Sequence, residues 1–249
     1  GSLMKLAGKN AIITGGGSGF GEGIAECFSR EGAKIIVADI NFSQAERVAK
    51  KAKGVPVHVD VSKKTSVENM VKEAIRELKE IDILVNNAGV THLPAPMESV
   101  DEKEFDQILA VNAKSVYLTA LFLVPHFVKR NTGTILNIAS TAGVSPRPKL
   151  TWYNASKGWM ITATKSMAIE LAEHSIRVNA INPVAGETPL LKSFLGKDTP
   201  EIRAKFLNTI PLGRFSTPLD IGSAAVFLCS QEANMITGVT LEVDGGRCI

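Results

Sequence analysis

Short apolar runs alternate with longer segments of helical period along most of the chain. The runs predict seven strands, at residues 10–14, 34–40, 55–59, 82–86, 134–139, 177–181 and 240–243. Residues 64–79 show the helical pattern, because their apolar side chains recur at a spacing that draws one stripe on a helix. Thr65 and Glu68 resemble a capping box at the start of that helix.

The alternation of strands and helices predicts an α/β fold, a doubly wound parallel sheet of about seven strands with helices on both faces. The strands are continuous apolar runs, which is typical of strands covered on both sides. No repeat or linker divides residues 4–249, so we expect a single domain. Residues 184–217 interrupt the rhythm with glycines and prolines, and we expect this insertion to be a lid over a substrate site.

Composition excludes several classes of partner. The 249 residues are 45% hydrophobic and 21% charged, which is ordinary globular usage, and the net charge of +3 is too small and dispersed to predict nucleic-acid binding. No apolar run reaches the roughly 18 residues of a membrane span and no signal peptide is recognisable, so no membrane partner is expected. Cys27, Cys229 and Cys248 lack metal or CxxC spacing and favour a reduced, cytoplasmic protein without a metal site.

Residues 14–23 read TGGGSGFGEG and follow the first predicted strand. The spacing from Gly16 to Gly21 is that of a P-loop, but Glu-Gly follows where Lys and Ser or Thr are required. The strict G-x-G-x-x-G pattern also fails in every register. The spacing Gly15-x-x-x-Gly19-x-Gly21 between a strand and a helix does fit a turn that seats a dinucleotide, and the alternative is a flexible loop.

Asp39 ends the second predicted strand and favours the dinucleotide interpretation. An acid at this place in a βαβ nucleotide site hydrogen-bonds the adenosine ribose hydroxyls and repels a 2′-phosphate. Neither Ile40 and Asn41 beside it nor Ser18 in the glycine turn is basic. The pattern therefore predicts NAD rather than NADP, the alternative being an ordinary turn aspartate.

Tyr153 and Lys157 are placed so that both lie on one face of a helix. A phenol has a pKa of about 10, and a nearby ammonium is expected to lower it toward a useful acid–base range. This pair is common by chance, but Ser140 ends a predicted strand and Asn112 lies in a helical stretch where Asn is mildly unfavourable. Ser140, Asp39 and the glycine turn all fall at the carboxyl edge of the sheet, where such folds bind ligands.

Taken together, these motifs resemble the short-chain dehydrogenase/reductase family, and the likeness covers residues 4–249. The matching pieces are residues 14–21, Asp60-Val61, residues 86–89, Asn112, Ser140, Tyr153 with Lys157, Asn182-Pro183 and Asp244-Gly245-Gly246. The resemblance implies a Rossmann-type NAD(P)-binding domain and an enzyme that interconverts a small-molecule secondary alcohol and a ketone or other carbonyl by hydride transfer. It also implies a homotetramer, with residues 102–130, 153–173 and 240–249 as candidate interfaces.

The resemblance further implies roles for the site residues. Tyr153 would be the general acid/base, Lys157 would hold the nicotinamide ribose and lower the phenol pKa, and Ser140 would bind the reacting oxygen. Asn112 would hold a water in a proton relay. The implied cofactor site is Gly15, Gly17, Ser18, Gly19, Phe20, Gly21, Asp39, Ile40, Asp60, Val61, Asn87, Ala88, Gly89, Tyr153, Lys157, Pro183, Val184, Gly186 and Thr188.

Val184 departs from the family, which usually has glycine there, and its side chain is expected to narrow the pocket beside the nicotinamide. Residues 92–94, 141–144, 184–217 and Trp152 are the expected substrate pocket. Arg147 and Lys149 either meet an acidic substrate or belong to a solvated loop.

Two other functions stay open. The first is a 3-oxoacyl-acyl-carrier-protein reductase that uses NADPH, against which Asp39 counts. The second is a dinucleotide-binding sensor without catalysis, against which the presence of Asn112, Ser140, Tyr153 and Lys157 counts.

Overall fold

The computed structural model describes residues 3–249, which contain one sheet of seven parallel strands in the order 3-2-1-4-5-6-7. The strands are β1 (Asn10–Thr14), β2 (Lys34–Asp39), β3 (Val55–His58), β4 (Ile83–Asn86), β5 (Gly133–Ile138), β6 (Ile176–Pro183) and β7 (Thr240–Val243). The helices are α1 (Gly19–Arg30), α2 (Phe42–Ala52), α3 (Lys64–Leu78), α4 (Glu102–Leu109), α5 (Ser115–Arg130), α6 (Thr151–Leu171), α7 (Leu191–Leu195), α8 (Pro200–Leu207) and α9 (Pro218–Cys229).

Helices cover both faces of this sheet, which confirms the predicted fold class. Ile13 of β1 packs into a core cluster with residues of α1, α2 and α9, such as Phe28. Its neighbour Ile12 packs into a second cluster with residues of α3, α5 and α6, such as Phe127. Successive side chains of a strand point to opposite faces, so a continuous apolar run fills two cores at once.

The capping box expected at Thr65 and Glu68 is wrong. Helix α3 begins at Lys64, with Lys63 as its N-cap and no side-chain capping bond. Thr65 therefore lies inside the first turn rather than at the cap. The hydroxyl of the next residue, Ser66, accepts a hydrogen bond from the Asp60 amide (2.8 Å) and ties the helix start to the end of β3.

Helix α4, a π-helical turn (Ala110–Lys114) and α5 form one continuous helix, Glu102–Arg130. It is long and apolar enough to cross a membrane, but half of its most apolar window is buried inside the fold. Leu118 and Leu123 belong to the core beneath the sheet. It is therefore a core helix of the α/β fold.

The insertion at residues 184–217 contains α7 and α8 and is closed at its base. The Glu187 amide donates to the Ser216 carbonyl (2.9 Å), and the Ser216 hydroxyl donates to the Val184 carbonyl (3.0 Å). On α8, Arg203 forms ion pairs with Asp198 and Glu187. The two ends of the insertion are thus held together beside the carboxyl edge of β6.

Candidate active site

A cavity of about 1700 Å³, including its open mouth, lies at the carboxyl edge of the sheet. Strand β1 pairs with β2 on one side and with β4 on the other, so the connections diverge here and leave a crevice. The predicted site residues that line the cavity are Gly15, Ser18, Gly19, Phe20, Asp39, Ile40, Asp60, Val61, Asn87, Ala88, Gly89, Ser140, Tyr153, Lys157, Pro183, Val184 and Thr188.

Four predicted site residues do not line the cavity but support its wall. Gly17 lies against Asp39, and Gly21 lies against the Gly15 carbonyl, which a Cβ at Gly21 would approach to 2.2 Å. Gly186 packs on the ring of Phe20, which a Cβ would approach to 2.6 Å. The fourth, Asn112, is described below.

The glycine turn places the start of α1 at the cavity. Ser18 is the N-cap of α1 but makes no side-chain capping bond, so the amides of the first turn keep no side-chain acceptor within the described residues. A Cβ at Gly15 would lie 2.9 Å from the Ala88 Cα, so only glycine allows the turn to approach the end of β4 this closely. Open amides at a helix N-terminus are a site for a pyrophosphate.

Asp39 is fixed between the glycine turn and the start of α2. Its Oδ2 accepts from the Gly17 amide (2.9 Å) and its Oδ1 accepts from the Asn41 amide (2.9 Å). One strand further out, Asp60 accepts from the amide (3.0 Å) and hydroxyl (2.6 Å) of Ser62. Both carboxylates line the same end of the cavity, where an adenosine would lie.

Asn87 braces the glycine turn. Its side-chain amide donates to the carbonyls of Thr14 and Gly15 (3.1 Å each). The buried Thr14 hydroxyl in turn accepts from the amides of Asn87 (3.1 Å) and Ala88 (3.2 Å). Sequence reasoning missed Thr14 as the link between β1 and β4, because a single threonine at a strand end carries no distinguishing pattern.

A cluster of charges also lies behind the glycine turn. Glu22 pairs with Arg47 and Lys51 of α2, and the Arg47 guanidinium donates to the Gly17 carbonyl (3.2 Å). These two cations lower the pKa of Glu22, the Arg47 hydrogen bond most of all. No basic residue stands next to Asp39 in the sequence, but α2 brings a cation, Arg47, to the glycine turn.

Ser140 and Tyr153 are brought together by the loop after β5. Ser140 caps a 3₁₀ turn (Thr141–Gly143), with its Oγ accepting from the Ala142 amide (3.0 Å). A Cβ at Gly143 would lie 2.8 Å from the amide nitrogen of Gly158 on α6, so the loop contacts the helix backbone directly. This close approach holds Ser140 beside Tyr153, which precedes Gly158 on α6.

Burial shifts the pKa values of both Tyr153 and Lys157. Burial raises the pKa of Tyr153 to about 12, with a hydrogen bond from Ser140 opposing it. Burial lowers the pKa of Lys157 to about 8. The Lys157 Nζ lies 5.9 Å from the phenol ring centroid and donates to the Ile138 carbonyl (3.1 Å). In the chain without a cofactor, burial thus outweighs the Ser140 hydrogen bond at Tyr153, and the lowering of the phenol pKa by Lys157 stays a prediction.

Asn112 sits in the π-helical turn, a feature that often marks functional sites. Its Oδ1 accepts from the Val90 amide (2.8 Å), and its Nδ2 donates to the Val90 carbonyl (2.8 Å) and the Ser156 hydroxyl (3.0 Å). The side chain thus clamps the segment after β4 to α6. The water relay implied for Asn112 stays a prediction.

Apolar side chains wall the other end of the cavity. The Phe194 ring of α7 lies 5.2 Å from that of Tyr153, and the buried Val184 lines the cavity below. Trp152 does not line it, because its indole donates to the Met97 carbonyl (2.9 Å) and packs edge-on against Phe105. The expectation for Trp152 is therefore wrong, although it adjoins Tyr153 in sequence.

Two arginines line this same end. Arg147 precedes α6 and Arg247 follows β7, whereas Lys149 does not line the cavity. Sequence reasoning singled out Arg147 and missed Arg247. The only signal for Arg247 was its place directly after the Asp-Gly-Gly motif.

These features fit a nicotinamide dinucleotide. Amides of the α1 start, a glycine turn without room for side chains, and the Asp39 carboxylate match the needs of a pyrophosphate and an adenosine ribose. At the other end, a buried phenol and ammonium stand beside a serine hydroxyl. Fold and site together define a dinucleotide-dependent oxidoreductase of the doubly wound α/β class.

Comparisons with known proteins agree. The family described as "Enoyl-(Acyl carrier protein) reductase" matches residues 15–247. The 4-formylbenzenesulfonate dehydrogenase TsaC1/TsaC2 of Comamonas testosteroni is 47% identical over 99% of this chain and 100% of its own. The 3-oxoacyl-[acyl-carrier-protein] reductase FabG of Thermotoga maritima is 36% identical over 99% of this chain and 100% of its own.

Among solved structures, a 3-ketoacyl-(acyl-carrier-protein) reductase from Brucella melitensis complexed with NADH superposes with a TM-score of 0.94. It is 50% identical and the match covers 98% of this chain and 100% of that one. The chain belongs to the short-chain dehydrogenase/reductase family, whose typical cofactor is a nicotinamide dinucleotide.

Proposed function

We propose that the protein is an NAD(H)-dependent oxidoreductase that interconverts a secondary alcohol and a ketone or related carbonyl. The observation that carries the proposal is the grouping of Ser140, Tyr153 and Lys157 around one end of a cavity whose other end holds Asp39. A relative complexed with NADH supports the choice of cofactor.

The bound nicotinamide would supply or accept the hydride, and the protein residues would manage the proton and the oxygen. In reduction, the substrate carbon gains the hydride while the C=O π bond opens and its oxygen takes the phenol proton of Tyr153. Ser140 donates a hydrogen bond to that oxygen, oriented by the Ala142 amide. In oxidation the same proton returns to Tyr153.

The pKa of Tyr153 favours the direction of carbonyl reduction near neutral pH. Because burial raises the pKa of Tyr153 to about 12, the phenol keeps its proton near neutrality and is ready to donate it. Alcohol oxidation needs the phenolate, so it is favoured at alkaline pH. Lys157 is placed to hold the nicotinamide ribose, and Asn112 holds the Gly89–Val90 backbone beside it.

An NADPH-dependent 3-oxoacyl-acyl-carrier-protein reductase is the second candidate. The FabG and 3-ketoacyl reductase relatives favour its acyl-carrier-protein substrate, and for its cofactor Arg47 at the glycine turn is a cation that a 2′-phosphate could meet. Asp39 disfavours it, because its carboxylate stands at the Gly17 amide where the ribose would bind. The non-catalytic sensor has no comparable support.

The test is a rate comparison with NADH and NADPH on a panel of ketones and secondary alcohols. Turnover with NADH at least about tenfold more efficient than with NADPH supports the proposal, and a preference for NADPH contradicts it. Tyr153→Phe should lose turnover while still binding NADH. A sensor would show no turnover in either form.

Three accompanying expectations remain proposals. A lid formed by residues 184–217 fits the closed base of that insertion. A homotetramer fits the exposed apolar side chains of Tyr117, Leu121 and Ile169 on α5 and α6, two of the candidate interface helices. A cytoplasmic location fits the three free cysteines.

A further inference from the structure

We propose that Arg147 and Arg247 bind an anionic group of the substrate, so that the enzyme acts on alcohols or carbonyls whose apolar body carries a carboxylate or sulfonate. This inference rests on the proposed function, because it names the substrate class of the same cavity. The two arginines come from opposite ends of the sequence, and the fold alone brings them to one place.

The position of the arginines separates them from the cofactor end. Asp39 ends β2 and Asp60 follows β3, at one side of the sheet. Arg147 lies between β5 and α6, and Arg247 follows β7, at the other side. The acidic and basic linings of the cavity are therefore separated by β1 and β4, the strands that precede the glycine turn and Asn87. A substrate anion at the arginines would lie far from the cofactor phosphates.

Arg247 is the better defined of the two. It is only 8% exposed, and its guanidinium carbon lies 4.8 Å from the centre of the Phe206 ring. Its Nε donates to the Thr209 hydroxyl (3.0 Å), so both neighbours belong to the end of α8 and the turn after it. These contacts hold the guanidinium plane in place and leave its two terminal nitrogens without a protein acceptor among residues 3–249.

Neither arginine has a carboxylate partner within 4.0 Å in the described part of the chain. Arg47, Arg130, Arg203 and Arg214 each have one, by contrast. The acid nearest in sequence, Asp244, is already occupied, because its oxygens accept from the amides of Gly246 (3.0 Å) and Cys248 (2.9 Å).

A buried cation without a counterion is unfavourable, and a second cation beside it adds to the cost. Burial lowers the pKa of Arg247, and the positive charge of Arg147 lowers it further. Both effects are relieved when an anion binds between the two guanidinium groups. Arginine is well suited to this role because its planar fork matches the oxygens of a carboxylate or sulfonate.

A hydrogen bond connects the proposed anion site to the helix that carries Tyr153. The Asn154 side chain donates to the Arg147 carbonyl (2.9 Å), and Asn154 directly follows Tyr153 on α6. Leu150, Phe194 and Phe206 line the space beside the arginines. A substrate with an apolar ring between its carbonyl and its anion therefore fits this end of the cavity, with the reacting oxygen toward Ser140 and Tyr153.

The test measures binding of 4-acetylbenzoate and of its uncharged counterpart 4-acetylbenzamide to the enzyme saturated with NAD⁺. Both partners are then in the oxidised state, so no turnover can consume them. The wild type should bind the benzoate at least about tenfold more tightly, as expected for charge-assisted hydrogen bonds. Arg147→Gln and Arg247→Gln should each reduce that preference, and the double variant should abolish it.

Controls separate a direct role from a general effect. Lys149→Gln removes a nearby charge that does not line the cavity and should leave the preference unchanged. Arg247→Lys keeps the charge and should retain part of it. Unchanged binding of NAD⁺ shows that the variants are folded, and Arg147→Gln, at an exposed position, remains informative if Arg247→Gln does not fold.

The outcomes distinguish this inference from the proposed function. Equal binding of benzoate and benzamide to the wild type, or an unchanged preference in Arg147→Gln and the double variant, overturns the inference. If the preference holds but neither the benzoate nor the ketone panel is reduced with NADH, the proposed function fails and the anion site stands. If uncharged ketones are reduced with the same kcat/KM as the benzoate, the proposed function stands and the anion site fails.

Discussion

The Gly17 amide donates a 2.9 Å hydrogen bond to Oδ2 of Asp39, which joins the glycine turn to the end of β2. A Cβ at Gly17 would lie 2.9 Å from the same oxygen, so the two residues are in direct contact. The carboxylate is thereby oriented before any cofactor binds. A feature that orients a charge in this way is expected to control the choice between NAD and NADP.

Asp39→Asn should raise the preference for NADPH. The amide oxygen can still accept from Gly17, but the negative charge that repels a 2′-phosphate is gone. We expect the ratio of kcat/KM for NADPH over NADH to rise by roughly tenfold, equivalent to about 1.4 kcal/mol. Asp60→Asn removes a charge from the neighbouring strand end and should change the ratio much less. Equal shifts in both variants would contradict the assignment of the ribose to Asp39.

Glu22→Gln should also shift the cofactor preference toward NADPH, by a different route. Glu22 neutralises Arg47 and Lys51, and Arg47 already contacts the Gly17 carbonyl. Without the carboxylate, the guanidinium can turn toward a 2′-phosphate. The ratio of kcat/KM for NADPH over NADH should rise, and Arg47→Gln combined with Glu22→Gln should return it to the wild-type value. No change in the ratio for Glu22→Gln would show that Arg47 cannot reach the cofactor.

Much of the fold was predictable because its signals are local. Buried parallel strands are short apolar runs, so β1 and β7 have the predicted bounds and the others differ by one or two residues at an end. The residues that follow strands at the carboxyl edge meet in the cavity for the same reason. A family motif adds the spacing of Tyr153 and Lys157, which one helix turn converts into proximity.

The remaining features depend on contacts between distant segments or on burial. Arg247 lines the same cavity as Arg147, one hundred positions earlier in the sequence, and Arg47 reaches the glycine turn from α2. The pKa of Tyr153 is governed by desolvation, which no spacing of residues shows. The start of α3 depends on the Ser66 contact with Asp60, so a capping pattern at Thr65 was misleading.

Lys157→Met should make the protein more stable and inactive. Burial lowers the pKa of Lys157 from 10.5 to about 8, so at pH 7 the ammonium is kept in the fold at a cost. Each pKa unit corresponds to about 1.4 kcal/mol, and the lost bond to the Ile138 carbonyl offsets part of the gain. We expect the free energy of unfolding without cofactor to rise by about 1–2 kcal/mol at pH 7.

The difference in stability between the wild type and Lys157→Met should depend on pH. Above pH 8 the folded wild type releases the proton from Lys157 while the unfolded chain keeps it until about pH 10.5, so the wild type gains stability relative to Lys157→Met. The advantage of the variant should therefore shrink between pH 7 and 9.5 in denaturant titrations. Lys165→Met, at an exposed position on the same helix, should show no such trend. A variant less stable than the wild type at pH 7 would contradict the argument.

Gly143→Ala should damage catalysis and stability together. The new Cβ would lie 2.8 Å from the Gly158 amide nitrogen and from the Lys157 carbonyl carbon, so the loop that carries Ser140 must move away from α6. Overpacking of this kind costs about 1–3 kcal/mol. Because the movement separates Ser140 from Tyr153, kcat should fall while binding of NADH at the glycine turn is retained.

Gly158→Ala is the matched control, since its Cβ would meet only the Gly143 carbonyl oxygen at 3.9 Å. That variant should be active and, through helix propensity, more stable by up to about 1 kcal/mol, and equal losses in both variants would show that the glycine contact does not position Ser140.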